Sequence, residues 1–477
     1  MILFLSRLAF AQDAPPTSYS IEDALRRALD TSEQVSSAES AVQAANGQAW
    51  AARSGYGPQV YGQVSYQHAF ETQYDYLQEQ PFEDPAAVPK KGEAFDIQTI
   101  FFGQEDTWTA GINADQAIIE PLAIYQTRYA NAALDVAKLD LESTRATTTL
   151  SAAQAYYDAA LASQLLTIGE ATLEQVKTTF EHAKLAKDLG RQSEYELLRA
   201  QVEVENQAVA VERLRRGRDQ SLLLLALVLH VPENSQIDLV SPLDAEAMPE
   251  IGNVALTVSG VRNTSTRIAV ERAEKNVRMS KDNVWMVRSQ ALPSLHATLT
   301  YNQVRYPDDP WIFDKPDPFG EGDHGTEDTQ FVPDDMYEGL HAWHPNFYAG
   351  AQLTVPLFGF GRAYGENLTA KSTQHQAEAG LSLTQRGALA DTRNAEMTLD
   401  TAKAQWNATA GTVEVAQRTY DIASVRFEEG VSTQSELADA RILLQQAQAN
   451  RAQAARDLQL ARIRLALLPA LPLSGSP

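Results

Sequence analysis

Four segments of the chain alternate apolar and polar residues with a period of two. They are Val60–Phe70, Thr107–Ile119, Ser294–Val304 and Phe347–Val355. This alternation predicts β-strands with one apolar face. Each segment has about 9–13 residues, close to the length with which a tilted strand crosses a bilayer. A soluble sheet with one wet face produces the same alternation, so the pattern alone leaves both interpretations open.

Two long stretches of the chain contain no proline, Leu122–Val231 and Leu357–Leu468. Both are rich in strong helix formers, and a proline inside a helix costs about 3 kcal/mol. A polar segment with glycine interrupts each stretch, at Lys187–Arg191 and at Phe427–Val431. Glycine commonly follows a helix end, so each stretch is predicted to form two antiparallel helices joined by a tight turn. A first helix of about 65 residues would be about 100 Å long, which suggests a rod or tunnel.

The two halves of the sequence resemble each other at two nearly constant offsets. The matched residues are Gly190 with Gly430, Glu196 with Glu436 and Leu197 with Leu437 at offset 240, and Pro58 with Pro293 and Tyr66 with Tyr301 at offset 235. Separated matches at such offsets favour a duplication. Each half is then predicted to run helix, strand, loop, strand, long helix, turn and helix.

The duplication predicts two structural repeats, residues 12–253 and residues 254–477. The first repeat has a strand pair at about 59–119, a helix pair at about 120–230 and an equatorial segment at about 230–253. The second has a strand pair at about 294–356 and a helix pair at about 360–468. Residues 1–11 are mostly apolar and end in Ala9-Phe10-Ala11, which indicates a secretory signal peptide.

Charge and composition exclude several classes of protein. The 477 residues carry 39 Lys+Arg against 62 Asp+Glu, a net charge of −23, which argues against a nucleic-acid partner. The absence of cysteine excludes disulfides and thiolate metal sites, and it argues against lipid attachment through an N-terminal cysteine. No apolar run reaches the roughly 18 residues of a membrane helix, so a membrane-embedded chain would cross as a β-barrel. Four strands are too few to close a barrel of at least about eight, whereas three chains would supply twelve.

Enzyme motifs are not found in the sequence. The phosphate-binding Gly-x-x-x-x-Gly-Lys-Ser/Thr and the nucleophile motif Gly-x-Ser-x-Gly do not occur. Three histidines lie near Asp323, namely His324, His341 and His344. Their spacing matches no known metal motif, so a solvated loop is the better interpretation. We therefore expect no enzymatic activity, no cofactor and no metal site.

The ordered combination of these features resembles the TolC-like outer-membrane efflux channel family. The resemblance covers about Ser20–Leu468. It rests on the duplication and the two glycine turns, and on three strand-flanking motifs: Gly57-Pro58-Gln59, Leu292-Pro293-Ser294, and Val355-Pro356-Leu357-Phe358 with Gly361. No single motif is specific, but their order is.

The resemblance implies an α+β membrane protein with an internal two-fold repeat. A long antiparallel α-helical barrel would continue into a trimeric 12-stranded transmembrane β-barrel, with four strands from each chain. The homotrimer would be a passive exit duct in the outer membrane, with a periplasmic tunnel. It would serve a tripartite efflux or type I secretion system and open when a periplasmic adaptor (membrane fusion) protein and an inner-membrane transporter dock.

The resemblance also implies roles for individual residues. Glu436 and Asp439 would ring the pore constriction, although both could be ordinary acids on a solvated helix face. Glu196 would be the acidic partner of a gate latch, in which Phe427 and Ser432 replace the expected tyrosine and arginine. The adaptor-binding turns would be Leu189, Gly190, Arg191, Gly430 and Val431, with Ser432 adjoining. Tyr66, Trp108, Tyr301 and Phe347 would anchor the protein in outer-membrane lipid.

Two alternatives stay open at the level of sequence. A non-channel coiled-coil structural protein of the cell envelope would also contain long helices, although it would need neither the strands nor the tight turns. The loops Glu71–Asp106 and Arg305–Leu340 are acidic and could bind divalent cations.

Overall fold

The computed structural model describes residues 18–70, 106–190, 193–232, 237–240, 243, 250–262, 266–305, 342–359 and 361–473. Within them the chain forms eight helices: α1 (Ile21–Thr31), α2 (Glu33–Ser54), α3 (Pro121–Asp188), α4 (Glu194–Val228), α5 (Gly252–Ser259), α6 (Ile268–Ser289), α7 (Arg362–Glu428) and α8 (Gln434–Leu467). The described strands are β1 (Ser18–Tyr19), β2 (Gln59–His68), β3 (Asp106–Ile119), β4 (Asp238–Leu239), β5 (Ser294–Arg305) and β6 (His344–Thr354). All four predicted strands and both predicted pairs of long helices are therefore present.

The two longest helices, α3 and α7, have 68 and 67 residues. Proline opens α3 at its first position, where the missing backbone N–H costs nothing because that group has no partner inside the helix. Each long helix ends at the predicted glycine turn and is followed by a shorter helix, α4 with 35 residues and α8 with 34. None of the described helices combines the length and apolar character needed to cross a membrane.

The chain divides into two compact units. The first consists of Met1–Gly47, Tyr129–Lys281 and Lys371–Pro477, and the second of Gln48–Arg128 and Asp282–Ala370. The core of the first unit is built from α1, α5, the parallel pair β1–β4, the middle parts of α3 and α7, and the C-terminal parts of α4 and α8. In this core the phenol of Tyr156 donates a hydrogen bond to the carbonyl of Tyr19 (3.0 Å), which ties α3 to β1.

The second unit contains an antiparallel four-stranded sheet in the order β2-β3-β5-β6. The register pairs Tyr66 with Trp108 and Tyr301 with both Ile112 and Phe347. Residues directly opposite one another project to the same face of a sheet, so these aromatic side chains share one face. The predicted loops at 71–105 and 306–341, which contain Asp323, His324 and His341, lie outside the described residues, as does the predicted signal peptide.

The two faces of this sheet differ in solvent exposure, and the apolar face is the more exposed one. The apolar face is exposed, with Val64 at 72% and Phe347 similarly open. The polar face is less exposed along the central strands, and Thr300 on β5 is only 5% exposed. In a soluble sheet the apolar face would be the buried one, so the exposure of this sheet is the reverse of that arrangement.

Candidate functional site

The first helical turn joins α3 to α4. Gly190 adopts the left-handed backbone conformation, with φ of 70°, and its N–H donates to the carbonyl of Lys187 (2.8 Å). Arg191 lies outside the described residues. The side chain of Ser193 then caps α4 by accepting a hydrogen bond from the N–H of Glu196 (3.4 Å).

The second turn joins α7 to α8 in the same way. Gly430 has φ of 73°, and its N–H donates to the carbonyl of Phe427 (3.0 Å). The N–H of Val431 donates to the carbonyl of Arg426 (2.8 Å). These two bonds form a Schellman motif, whose left-handed position strongly favours glycine. Thr433 caps α8 by accepting from the N–H of Glu436 (3.3 Å).

These caps give Glu196 and Glu436 a structural reason to be acidic. Each lies three residues after its cap, at the spacing Ser/Thr-x-x-Glu of a capping box, near the positive end of the helix dipole. The spacing is visible in the sequence as Ser193-x-x-Glu196 and Thr433-x-x-Glu436. Helix capping therefore explains in part why each position holds a glutamate, whatever further role Glu196 and Glu436 have.

Glu436 and Asp439, the predicted constriction residues, are both exposed on α8. A carboxylate oxygen of Glu436 lies 3.8 Å from Nη2 of Arg426, across the turn. Both side chains are about half exposed, so the pair is worth little in stability. Asp439 has no hydrogen-bonding or ion-pairing partner among the residues that the structure describes. The two carboxylates thus remain available to solvent.

Glu196, the predicted acidic latch partner, is bonded to Gln434 at the start of α8. With the Gln434 amide in the orientation that satisfies its neighbours, its nitrogen donates to Oε2 (2.9 Å) and to the carbonyl (3.0 Å) of Glu196. Its oxygen accepts from the N–H of Ala200 (3.2 Å). The hydroxyl of Ser432 is buried and unpartnered within the described residues, so it is not bonded to Glu196.

Two further contacts join α4 to α8, and the sequence reasoning missed both. Nη2 of Arg199 donates to the hydroxyl of Ser435 (3.0 Å), and Nη2 of Arg441 donates to Oε1 of Glu203. Arg441 lies on the stripe formed by Leu437, Ala440 and Leu444, all buried. A charged residue on an apolar stripe with helical spacing is the signal that could have revealed this contact.

The predicted anchoring aromatics lie together on the exposed face of the sheet. Tyr66 and Trp108 are in contact, with ring centroids 5.0 Å apart. The phenol of Tyr66 donates to Oδ1 of Asp106 (2.6 Å), and Nδ1 of His68 lies 2.7 Å from the same oxygen. Each aromatic thus presents an apolar ring outward, and Tyr66 adds a satisfied polar group, as is typical of residues at a membrane interface.

Comparisons with known proteins match part of the chain by sequence and nearly all of it by fold. Residues 264–469 match the family model described as outer membrane efflux protein. None of the curated proteins compared with the chain matches it significantly.

Solved structures of outer-membrane proteins share the fold. The CmeC outer membrane channel of Campylobacter jejuni has a TM-score of 0.69 at 17% identity, covering 96% of this chain and 87% of its own. VceC from Vibrio cholerae has a TM-score of 0.67 at 16% identity, covering 94% and 95%. MtrE of Neisseria gonorrhoeae, solved in its open state, has a TM-score of 0.66 at 15% identity, covering 94% and 88%.

The matched family is one of efflux proteins, and CmeC and MtrE are outer membrane channels rather than enzymes. The resemblance to this family noted in the sequence is therefore confirmed: residues 264–469 match the outer membrane efflux protein model, and the chain has the fold of the outer membrane channels CmeC and MtrE.

Proposed function

We propose that this protein is the passive outer-membrane exit duct of a tripartite efflux or type I secretion system. Three copies would join their sheets into a 12-stranded barrel, and their long helices would form the periplasmic tunnel. The observation that carries this proposal is the exposed apolar face of the sheet, with its aromatics at Tyr66, Trp108, Tyr301 and Phe347.

A lipid environment accounts for the exposure of this sheet. Apolar side chains that face hydrocarbon and polar side chains that face a water-filled interior are the arrangement of a transmembrane barrel. The large apolar residues Val60, Val64, Ile112 and Leu353 belong to the same exposed set. An exposed apolar surface of this kind on a protein in water would favour aggregation.

A trimer accounts for the open edges of the sheet. Within the described residues, β2 and β6 each pair on one side only. An unpaired strand edge is a template for another chain, and membrane-spanning strands cannot leave their backbone groups unpaired. Pairing β2 of one copy with β6 of the next would satisfy both edges and close the barrel.

The two repeats are proposed to descend from a duplication, with each contributing one strand pair and one helix pair. The equal lengths of α2 and α6, 22 residues each, support it. The matched glycines and caps of the two turns support it as well.

The two turns are proposed to form the periplasmic end, where an adaptor docks. Leu189 and Val431 are exposed at the tips of the turns, each next to a glycine in the left-handed backbone conformation. Glu436 and Asp439 would then supply six carboxylates to the trimer's constriction, which would attract cations and repel anions.

Single-channel recording in planar bilayers tests the proposal. The wild-type chain is compared with the double variant Glu436→Gln and Asp439→Asn, which removes charge and preserves shape. We expect a small, cation-selective wild-type conductance and a loss of selectivity in the variant.

A matched control neutralises two exposed acids at the other turn, Asp188→Asn with Glu194→Gln, and should leave selectivity unchanged. If the purified wild-type protein does not insert and behaves as a soluble elongated particle, the channel proposal is wrong and a structural coiled-coil protein is favoured. If the control variant loses selectivity to the same extent, the constriction does not lie at Glu436 and Asp439.

A further inference from the structure

Two tryptophan–arginine pairs lie at matching places in the two halves of the chain. Trp50 and Arg53 lie near the end of α2. Trp285 and Arg288 lie at the same places in α6, at the offset of 235 that also relates the strand-flanking prolines. Each guanidinium group lies over the tryptophan ring of its own helix, 5.4 Å from the ring centroid in α2 and 5.1 Å in α6. Both rings are exposed, Trp50 at 64% and Trp285 at 47%.

A third aromatic–arginine pair lies at the start of α3. The guanidinium group of Arg128 lies 5.4 Å from the ring centroid of Tyr125. Tyr125 in turn stacks on Trp285 of α6, with ring centroids 5.7 Å apart and ring planes inclined by 11°. The start of α3 and the end of α6 thus share a cluster of two stacked rings and two guanidinium groups, the second being that of Arg288.

All three pairs lie at the edge where the sheet of the second unit meets the helices. Strands β2 and β5 begin shortly after α2 and α6 end, and α3 begins directly after β3. The amide of Gln116, on the same face of β3 as Ile112, donates to the carbonyl of Tyr56 (2.6 Å). The hydroxyl of Thr127 donates to the carbonyl of Ala52 (3.2 Å). These ends therefore adjoin the apolar face of the sheet, and we call the six side chains the junction surface: Trp50, Arg53, Tyr125, Arg128, Trp285 and Arg288.

The junction surface and the aromatics of the sheet lie at opposite ends of the strands. Tyr66 follows Gln59, the first residue of β2, by seven residues, which is about 23 Å along a strand. The apolar band of a transmembrane barrel is about 25 Å tall and has aromatic residues at both of its interfaces. The sheet aromatics fit one interface, and the junction surface fits the other.

Two arginines of the junction surface have neutral neighbours. Within the described residues, Arg128 has no carboxylate partner, and Arg288 donates to the amide oxygen of Asn367 (3.1 Å). Stacking on a ring uses the face of a guanidinium group and leaves its in-plane N–H groups to bind an anion. Elsewhere in the chain, exposed arginines pair with a glutamate four residues earlier on the same helix, as do Arg26, Arg216 and Arg418.

The helix dipole explains only part of this arrangement. Arg53 and Arg288 lie in the last turn of their helices, where a positive charge is favoured. Arg128 lies in the second turn of α3, towards the positive end of that helix, where the dipole gives a positive charge no advantage. A negatively charged ligand accounts for all three positions.

We propose that the junction surface binds the phosphate groups of phospholipids in the membrane leaflet that borders the periplasm. The inference rests on the proposed channel function, in which this edge of the sheet lies at that leaflet. Tryptophan and tyrosine rings are favoured between the acyl chains and the headgroups, and guanidinium groups bind phosphate oxygens through two N–H groups at once. The rings and the arginines therefore recognise two adjoining layers of the same lipid.

Lipid binding to the purified full-length protein in detergent tests the proposal. Native mass spectrometry counts bound dioleoylphosphatidylglycerol, and dioleoylglycerol, which has the same acyl chains without a phosphate, is the comparison. The phosphate-bearing lipid is expected to bind about tenfold more tightly, because each arginine near a membrane surface contributes about fivefold. Equal binding of the two lipids by the wild-type chain overturns the proposal. Inorganic phosphate in excess should not displace the lipid, and displacement would assign the site to free phosphate instead.

A triple variant shows whether the arginine charges carry this preference. Arg53→Gln with Arg128→Gln and Arg288→Gln is expected to abolish the preference for the phosphate-bearing lipid. Arg→Lys at the same three positions keeps the charge and is expected to retain most of it. Equal losses in the two variants would mean that the arginines act by packing, which contradicts the proposal.

Three arginines of the first unit provide the matched control. Arg26→Gln with Arg216→Gln and Arg418→Gln removes the same charge from exposed helix faces and should leave the lipid preference unchanged. An equal loss in this control would reduce the effect to net charge and overturn the proposal. Dissociation of the junction variant into single chains that keep the lipid preference would assign its arginines to contacts between copies, also against the proposal.

Single-channel recording separates a failure of this inference from a failure of the channel. A wild-type protein that conducts in planar bilayers but binds the two lipids equally refutes only the inference. A wild-type protein that stays a soluble particle and binds neither lipid refutes both.

Discussion

Helices α4 and α8 begin alike and are packed very differently. Each follows a left-handed glycine, each is capped by a hydroxyl side chain, and their lengths are 35 and 34 residues. Yet α8 buries fourteen residues and α4 only four, so α8 belongs to the interior of its own chain while α4 lies at its surface.

This difference in burial indicates a role for the exposed apolar residues of α4. Tyr195, Leu198, Val202 and Val209 recur at spacings of three, four and seven residues, which places them on one helical face. All four are exposed in the single chain. An apolar stripe that no described residue of its own chain covers indicates an interaction surface, and a second copy of the chain is the partner that the proposed trimer supplies.

The largest expected effect is a difference in unfolding free energy between leucine truncations on the two helices. Leu458 on α8 is 1% exposed and Leu198 on α4 is 54% exposed. Leu458→Ala should cost about 2–5 kcal/mol of unfolding free energy because it leaves a cavity. Leu198→Ala should change the stability of the dissociated chain by less than about 0.5 kcal/mol. Urea unfolding followed by circular dichroism compares them, and equal losses would mean that α4 is buried as deeply as α8.

The two turns provide the next comparison. Among the described residues, and apart from the adjacent residues in the chain, no atom lies within 4 Å of a Cβ placed on Gly190 or on Gly430, so the expected cost of alanine there is backbone strain. Gly190→Ala and Gly430→Ala should each cost about 1–2 kcal/mol, the penalty of a left-handed alanine. Denaturant midpoints of the two variants check this. A clearly greater loss at Gly430 would indicate that strain in this turn spreads into the buried α8.

The helix caps should have smaller and matched effects. Ser193→Ala and Thr433→Ala each leave one N–H, that of Glu196 or Glu436, without its cap, at a cost of about 1 kcal/mol. Thermal melts of the two variants measure the loss, and the conservative exchange of Thr433 for Ser should restore stability. If Thr433→Ala leaves the melting temperature unchanged, contacts elsewhere on α8 compensate for the lost cap.

The smallest effect is expected at the far end of α4. There His230 has φ of 50°, and its Nε2 lies 2.7 Å from Oε2 of Glu33. The pKa of Glu33 is lowered, first by its own backbone N–H and then by His230. A lowered carboxyl pKa stabilises the fold above the unfolded pKa, and this stabilisation is lost as the pH falls through the folded pKa.

Glu33→Gln should therefore flatten the loss of thermal stability below about pH 5, where a glutamate with a lowered pKa takes up its proton in the folded state. The exposed site makes the effect small. Melting temperatures of wild type and variant across this range measure it. An unchanged slope would assign the acid sensitivity to other carboxylates.

Much of the architecture was predictable because its signals are local. Proline-free stretches predicted the four long helices, glycine marked both turns, and alternation predicted all four strands of the sheet to within a few residues. The Ser/Thr-x-x-Glu spacing of the caps was present in the sequence as well. The alternation alone could not predict that the apolar face of the sheet is the exposed one, because it shows that the two faces differ and not which of them is covered by the rest of the chain.

Backbone conformation at Gly190 and Gly430 depends on a few neighbouring residues, and for that reason it could be inferred from the chain alone. The Arg441–Glu203 pair joins positions 238 residues apart, and the Gln434–Glu196 bonds join similarly distant ones. Such contacts arise only when packing brings two helices side by side, because the sequence around either residue does not indicate which distant residue it will contact. The same holds for the contrast between α4 and α8: their sequences begin alike, and burial in the folded chain is what distinguishes them.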